Sequence, residues 1–568
     1  MNRQMILVTL TAGAVIFTLL LLIQTKAARR TPDLVLVNGR IITMNAQSPS
    51  ATAIAIKADR IVAVGASDEI AKMAGASTRV VDLGGKTVVP GLIESHAHLL
   101  GMGRAMMILD LTGAASEEAI ADLVRARAAE LGPGQWIEGR GWDQNLWEVK
   151  RFPTFQSISE AAPQNPVCLT RVDGHAVWIN RAAIEACAIT AATADPAGGR
   201  IERDGAGEPT GVLVDNAADL VGAKIPPLTR SAKKEALLAA IEKCNAFGFT
   251  SFHDAGAGAD TISLYREILE EGDLTLRMNV MLSGSDAGLV EDYFDSGPVR
   301  GEGGHFLAIG SVKLFADGAL GSRGAALLED YADEAGNTGL LIDGEERIFE
   351  IADRALAAGF QVCTHAIGDR GNRVCLDAYE RAFNAHPGVD DPRFRIEHAQ
   401  ILDENDIARF AKLGVIAAMQ SQHCTSDMAW VPARIGADRS AEGAYVWKSL
   451  LDLGVSLPNG SDAPVESANP FYGIYAAVTR KDRTGKPTGG WYPDQRMTRE
   501  QALESFTLSG AHASFEEDLK GSIEKGKLAD ITVLSKDIMS VPAEEILTTD
   551  ALLTIVGGKV VHEVNGAF

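Results

Sequence analysis

His96 and His98 stand two residues apart behind the apolar run Thr87–Ile93, and His365 and His398 close later apolar runs. Residues i and i+2 of an extended segment leave from the same face, so His96 and His98 can chelate one cation. Lys313 lies within Ser311–Phe315, and Asp462 follows Gly460-Ser461. A single His-x-His is weak, and any one of these histidines alone is more simply a satisfied core or surface residue. Four of the eleven histidines, one lysine and one aspartate recurring at the ends of separate apolar runs make a far more specific pattern. Imidazole and carboxylate ligands suit Zn²⁺ best, with Mn²⁺, Fe²⁺ and Co²⁺ as other occupants. A cation there would lower the pKa of a water toward ~7 and polarise a carbonyl, which is the chemistry of hydrolysis.

Such residues need a frame that gathers strand ends. Candidate strands are Thr87–Val89 running toward His96, Thr250–His253, Leu276–Leu282, Ser311–Phe315, Gln361–Thr364, Phe394–Glu397, Val415–Met419 and Val455–Leu457 running toward Ser461. Six of the seven intervals carry helical patterns, such as Glu345–Ala358 and Gly371–Ala385. Alternating strands and helices predict an α/β fold, and eight parallel strands is the count of a (β/α)8 TIM barrel, active at the strands' C-terminal ends. The first interval, about 100–249, is far longer than a crossover needs and is expected to cap the barrel mouth. Short β patterns crowd both ends: Leu34–Val37 and Arg40–Thr43 around Asn38-Gly39, Ala53–Ile56 and Arg60–Val64 around Asp59, Ala529–Leu534, then Leu553–Val556 and Lys559–Val561 around Gly557-Gly558. The tight turns predict hairpins. Residues 31–86 and 520–568 are expected to meet in a composite β-sandwich beside the barrel of 87–519.

Composition narrows the classes. The 568 residues are 46% apolar and 23% charged, which excludes a disordered chain and a multi-span membrane protein. The net charge of −22 repels phosphate backbones, so nucleic acid is no partner. Six cysteines without a Cys-x-x-Cys pair argue against a disulfide scaffold or a zinc ribbon and read as buried small hydrophobes. Met5–Ile23 carries no charge, and Lys26, Arg29 and Arg30 follow it. Residues 1–30 are therefore a signal peptide, cleaved near Thr25-Lys26-Ala27, or a membrane anchor. Either implies an exported chain that meets the membrane only through that segment. A homodimer is among the assemblies left open.

The strings VVPGLIESHAH at Val88–His98 and GSDAP at Gly460–Pro464 resemble the metal-dependent amidohydrolase superfamily. KLFADGALGSR at Lys313–Arg323, THAIGDR at Thr364–Arg370 and RIEHAQ at Arg395–Gln400 resemble its branch of N-substituted formamide deformylase and YtcJ-like proteins, over roughly 33–565. The resemblance implies a (β/α)8 barrel with a composite β-sandwich. It implies two divalent metal ions, one held by His96, His98, Lys313 and Asp462, the other by Lys313, His365 and His398. Lys313 would be a CO2-derived carbamate bridging them, since a free ammonium cannot ligate. A salt bridge to Asp317 is the plainer reading of that lysine, and Asp317 is a rival oxygen ligand in the following loop. A metal-activated hydroxide would then cleave a non-peptide C–N bond of an amide-like small molecule, with Asp462 as general base and acid. Glu397 beside His398 suits a supporting role. Two other readings compete: a mononuclear aminohydrolase deaminating a heterocycle, and a non-catalytic, membrane-tethered binding protein. The first is disfavoured because Gly368 stands where a His-x-x-Glu pattern after His365 would place its carboxylate.

Within the insertion, Gly139–Trp147 and Thr170–Trp178 hold three of the seven tryptophans. Aromatic residues beside polar ones suit a ligand pocket as well as a core. Asp143 and His175 are candidate substrate contacts there, as are His423 and Trp430 beyond the seventh strand. His253 ends the second strand without a ligand slot, and Cys363, sharing parity with His365, should point into the barrel below the metals.

Overall fold

The computed structural model describes residues 31–171, 176–196 and 199–568. The segment read as a signal or anchor lies outside them. Among the described residues no helix is long and apolar enough to cross a membrane. The chain divides into two compact units, one comprising residues up to Leu99 with Ile241–Phe568, the other Leu100–Ala240.

In the first unit seven strands pair in parallel: β1 Leu92–Ala97, β2 Phe249–Ala257, β3 Arg277–Ser283, β4 Leu307–Phe315, β5 Gln361–Ala366, β6 Arg395–His398 and β7 Ile416–Ala418. The eighth position is filled by an irregular segment rather than a ladder. Met419 N–H donates to Pro458 O at 3.1 Å, Gly460 N–H to Met419 O at 3.2 Å, and Ser95 N–H to Asn459 O at 3.2 Å, which links β7 to β1. Pro458 has no N–H to give, so a regular strand cannot form there. The barrel expected from the sequence is present, with this one strand reduced to a few bonds.

Helices fall where the periodicity puts them. Glu345–Ala358 buries Ile348, Ile351, Ala352 and Ala355, the i, i+3, i+4, i+7 face of an amphipathic helix, and stops at Gly359 with φ 79°. The next spans Asp369–Ala385. Inward positions of the strands stack in layers. Asn279, Ser311 and Gln361 lie toward the N-terminal end, buried Ala255, Met281 and Cys363 form an apolar layer above them, and Lys313 and His365 follow. Cys363 thus sits below the site, as its parity required.

Strands from both ends of the sequence share one six-stranded sheet, in the order Lys559–Glu563, Ala551–Val556, Ile531–Leu534, Thr87–Pro90, Arg40–Ile42, Ser50–Ala51. A four-stranded sheet holds Arg60–Gly65, Ala53–Lys57, Leu34–Val37 and Arg79–Asp82. The hairpins around Asp59 and Gly557-Gly558 form as expected. The expected hairpin around Asn38-Gly39 does not. Leu34–Val37 is buried throughout, and strands on both sides, Ala53–Lys57 and Arg79–Asp82, occupy its edges. Arg40–Ile42 therefore joins the other sheet. Thr87–Val89 is likewise not the start of the barrel's first strand. It pairs with Ile531–Leu534, and the chain enters the barrel only after Gly91, where a Cβ would lie 2.2 Å from Thr250 Oγ1.

The second unit is a six-stranded mixed sheet with its own core. Trp142, Trp147 and Trp178 pack on one another there, with ring centroids 6.1–6.3 Å apart. Their indole N–H groups donate to the carbonyls of Leu169, Ala114 and Thr154. These tryptophans are core, not the lining of a ligand pocket.

An ion pair ties barrel to sheet. Arg277, opening β3, donates through Nε to Asp530 Oδ2 at 2.7 Å and through Nη2 to Oδ1 at 3.1 Å, both side chains being nearly inaccessible. Asp530→Ala would strand a buried guanidinium and is expected to lower stability by about 3–5 kcal/mol, measured by urea unfolding. A change below about 1 kcal/mol would show that water reaches the pair.

Candidate metal centre

Alternation along β1 sends Glu94, His96 and His98 to one face, and the other strand ends bring their groups to meet them. His96 Nε2 lies 3.5 Å from Lys313 Nζ and 3.7 Å from Asp462 Oδ1. His98 Nε2 lies 3.2 Å from the same oxygen. The His398 ring is centred 4.9 Å from that of His96 and 4.5 Å from that of His365. All six side chains that the sequence proposed as ligands thus form one cluster. His423 joins it, with Nε2 at 4.0 Å from Asp462 Oδ2 and its ring stacked 6.0 Å from that of His398. The donor atoms of His96, His98 and Asp462 fall within 4.8 Å of one another, as do those of His398, His423 and Asp462.

Two strained backbones make this possible. Arg395 and Glu397 point into the barrel, so simple alternation would turn His398 outward. His398 instead takes φ 73° and Asp462 φ 56°. Such left-handed conformations cost non-glycine residues of order 1–3 kcal/mol each and persist only where surrounding contacts hold them. Asp462 N–H donates to His96 O at 2.8 Å. Glu94, buried, accepts from His96 N–H, Ser461 N–H and Ser461 Oγ–H, which binds the loop carrying Asp462 to β1. Burial pushes the Glu94 carboxyl up to about 8.

The tautomers are fixed from behind. Glu397 accepts from His96 Nδ1, and Gln420 Oε1 accepts from His398 Nδ1 at 2.6 Å. A carboxylate and an amide oxygen can only accept, so Nε2 of each imidazole keeps its lone pair toward the cluster. Burial and the charge of Lys313 hold His96 down to about 4 and His365 down to about 3, so both rings are neutral. Burial alone would raise Glu397, but the Arg395 guanidinium, the hydrogen bond from His96 and the nearby Lys313 outweigh it and hold the carboxyl at about 2. Burial likewise opposes the Asp462 carboxylate, and His98, His96, His398 and His423 together hold it well below the usual range. The Lys313 amine is lowered by burial. Nε2 of His365 and of His423 is buried without a hydrogen-bond partner among the described residues. Neutral nitrogens facing one another around a carboxylate are a poor arrangement by themselves and a good one around cations. The donor set fits divalent metal.

Other expectations fare differently. Asp317 accepts from the N–H groups of Ala326, Ile367 and Gly368, so its oxygens are taken up in holding loops together, 3.6 Å from His365 Nε2 at the nearest. His253 lies inside β2 rather than at its end and accepts from Arg395 through Nδ1 at 3.1 Å. Trp430 packs beside Gly321 and Arg434. Asp143 pairs with Arg171 at 2.9 Å within the second unit. His175 lies outside the described residues. Five of the six cysteines are buried and Cys187 is half-buried, all of them free. Arg395 and Gln420 escaped the sequence reading, although Arg395 shares strand parity with Glu397, a signal that marks an inward charge pair.

A profile of the amidohydrolase family matches residues 79–562. The chain belongs to the amidohydrolase family. This amidohydrolase is 34% identical to the protein LONG AFTER FAR-RED 3 of Arabidopsis thaliana, over 94% of its own length and 92% of that protein. It is 29% identical to the N-substituted formamide deformylase of Arthrobacter pascens, over 94% and 99% of the two chains. An uncharacterized metal-dependent hydrolase from Pyrococcus furiosus superposes with a TM-score of 0.74 at 29% identity, covering 89% of this chain and all of that one.

If Glu397 sets the His96 tautomer, Glu397→Gln should weaken metal binding by about 10–100-fold in a chelator-competition titration while the fold survives. Unchanged affinity would remove Glu397 from that role.

Proposed function

We propose that this amidohydrolase cleaves a non-peptide C–N bond in a small molecule of amide or formamide type, at a centre for two divalent cations. The observation that carries this reading is the ring of lone-pair-bearing histidine nitrogens around Asp462 and Lys313, at the strand ends where barrel enzymes place their chemistry. The activity named for the Arthrobacter relative supports the choice of bond.

His96, His98, Lys313 and Asp462 would hold one cation, and Lys313, His365 and His398 the other, with Zn²⁺ ranked above Mn²⁺, Fe²⁺ and Co²⁺. Bound there, the cations would lower the pKa of a water toward ~7 and polarise the scissile carbonyl. Lys313 can serve two cations only as an anion. Its neutral amine, favoured by burial, forms an N–C bond to carbon dioxide and loses one proton, leaving a carbamate with two ligating oxygens. Asp462, kept ionised by the surrounding imidazoles, takes the proton of the attacking water and passes it to the leaving nitrogen, so that the amine departs neutral. Glu397 and Gln420 keep two of the imidazoles in register, and His423 offers a free Nε2 to the substrate. Deamination at a single cation fits less well, because Gly368 stands where that chemistry wants a carboxylate and its N–H is spent on Asp317 at 2.8 Å.

The test is a screen of N-formyl and N-acyl amines with the Zn²⁺-loaded protein. Asp462→Asn is expected to lower kcat by about 10²–10⁴-fold at matched metal content, and full turnover by that variant would take Asp462 out of the mechanism. Lys313→Ala should lose metal and activity together and regain part of both in added propionate. Wild-type metal content and turnover in that variant would sink the carbamate.

A further inference from the structure

At the end of the barrel away from the histidine cluster lies a cavity of about 220 Å³. Its floor is the lowest interior layer, Asn279, Ser311 and Gln361, and the apolar layer of Ala255, Met281 and Cys363 separates it from the metal centre. Val299, Phe515 and Leu519 give it apolar walls. A pocket this small, below the about 300–1,000 Å³ of drug-sized ligand sites, takes a small molecule.

One buried polar group of its lining lacks a partner within the fold. The Ser311 hydroxyl is buried without a hydrogen-bond partner among the described residues. Among the described residues, neither the Asn279 amide nor the His305 imidazole makes a side-chain hydrogen bond. Buried polar groups are ordinarily satisfied, so the Ser311 hydroxyl calls for an explanation, while Asn279 and His305 are half-buried. His305 at φ 68° and Phe515 at φ 60° shape the rim in left-handed backbone that neither residue favours. The charge is also out of keeping with the chain. Glu516 is neutralised by Lys520 at 2.7 Å, whereas exposed Arg300, over the Phe515 ring at 5.7 Å and donating to Gly359 O at 3.2 Å, pairs with no carboxylate among the described residues. A positively charged pocket thus opens on a chain of net charge −22.

We infer that this cavity is a second ligand site, for a small organic monocarboxylate. Arg300, His305, Asn279 and Ser311 supply donors for its oxygens, and the walls supply a surface for a short hydrocarbon chain. Inorganic phosphate meets the charge but not the walls. Ser311 is two residues below Lys313 on β4, so an occupant touches a strand that also serves the metal centre.

Calorimetric titration of the metal-loaded full chain with butyrate tests this, with inorganic phosphate in parallel. Butyrate should bind saturably, Asp462→Asn should retain that binding, and Arg300→Ala and Ser311→Ala should each weaken it by about tenfold or more. Arg300 is exposed and gives up only one bond, to Gly359 O, and the Ser311 hydroxyl is unpaired, so both variants are expected to keep the fold. Absence of saturable binding overturns the proposal, as does unchanged affinity in either variant. Binding that Asp462→Asn abolishes would place the carboxylate at the metal centre instead, and phosphate binding as tightly as butyrate would leave only an anion site.

Discussion

Inside the barrel the Glu397 carboxylate is held from one side by the Arg395 guanidinium and from the other by the His96 ring, all three sealed from water. A charge in that position is tolerable only while its partners stay in place, so each fixes the others. Arg395 also donates to His253 and to the Ser95 carbonyl, carrying the network across to β2 and β1. The orientation of the first imidazole, the direction of its lone pair and the inward turn of β6 all follow from keeping this ion pair intact. Because Glu397 must face inward and His398 must also reach the cluster, the backbone gives up regular strand geometry between them.

A second constraint works from the opposite side. Glu94 gathers three donors, two of them from Ser461, so the segment Gly460–Asp462 is drawn onto β1 rather than running as a free loop. The irregular eighth position of the barrel is the local consequence. A ladder there would leave no slack for Asp462 to turn back toward His98. Regularity is traded for placement at the two points, His398 and Asp462, where the cluster is most crowded.

How much of this was legible follows from which physical rule governed each residue. Side-chain alternation alone identified His96 with His98 as one face and put Cys363 below the site. Helical periodicity with a terminal glycine gave Glu345–Ala358 to the residue. Rules of that kind are local. The misread places are those where a distant partner decides. Asn38-Gly39 has the chemistry of a hairpin turn, but the edge it would pair along is already taken by Arg79–Asp82. Thr87–Val89 has a strand's composition, and nothing nearby says that Ile531–Leu534 will claim it. The tryptophans of the insertion could line a cavity or fill a core, and only their mutual packing separates the two. His423 was placed on the catalytic rim, but its approach to Asp462 depends on a helix whose position no pattern in the sequence reports.

The six-stranded sheet has a bearing on how the molecule comes into being. Val88 faces Val533 across that sheet, and the barrel's first strand begins one residue after Thr87–Pro90 ends. During synthesis, Thr87–Pro90 leaves the ribosome early and can pair with Arg40–Ile42, but its other edge has no partner until the stretch containing Val533 has followed. Contacts so remote along the chain form slowly. The nascent protein therefore carries an unpaired apolar edge until translation has passed the partner strand, and such an edge is exposed to aggregation meanwhile.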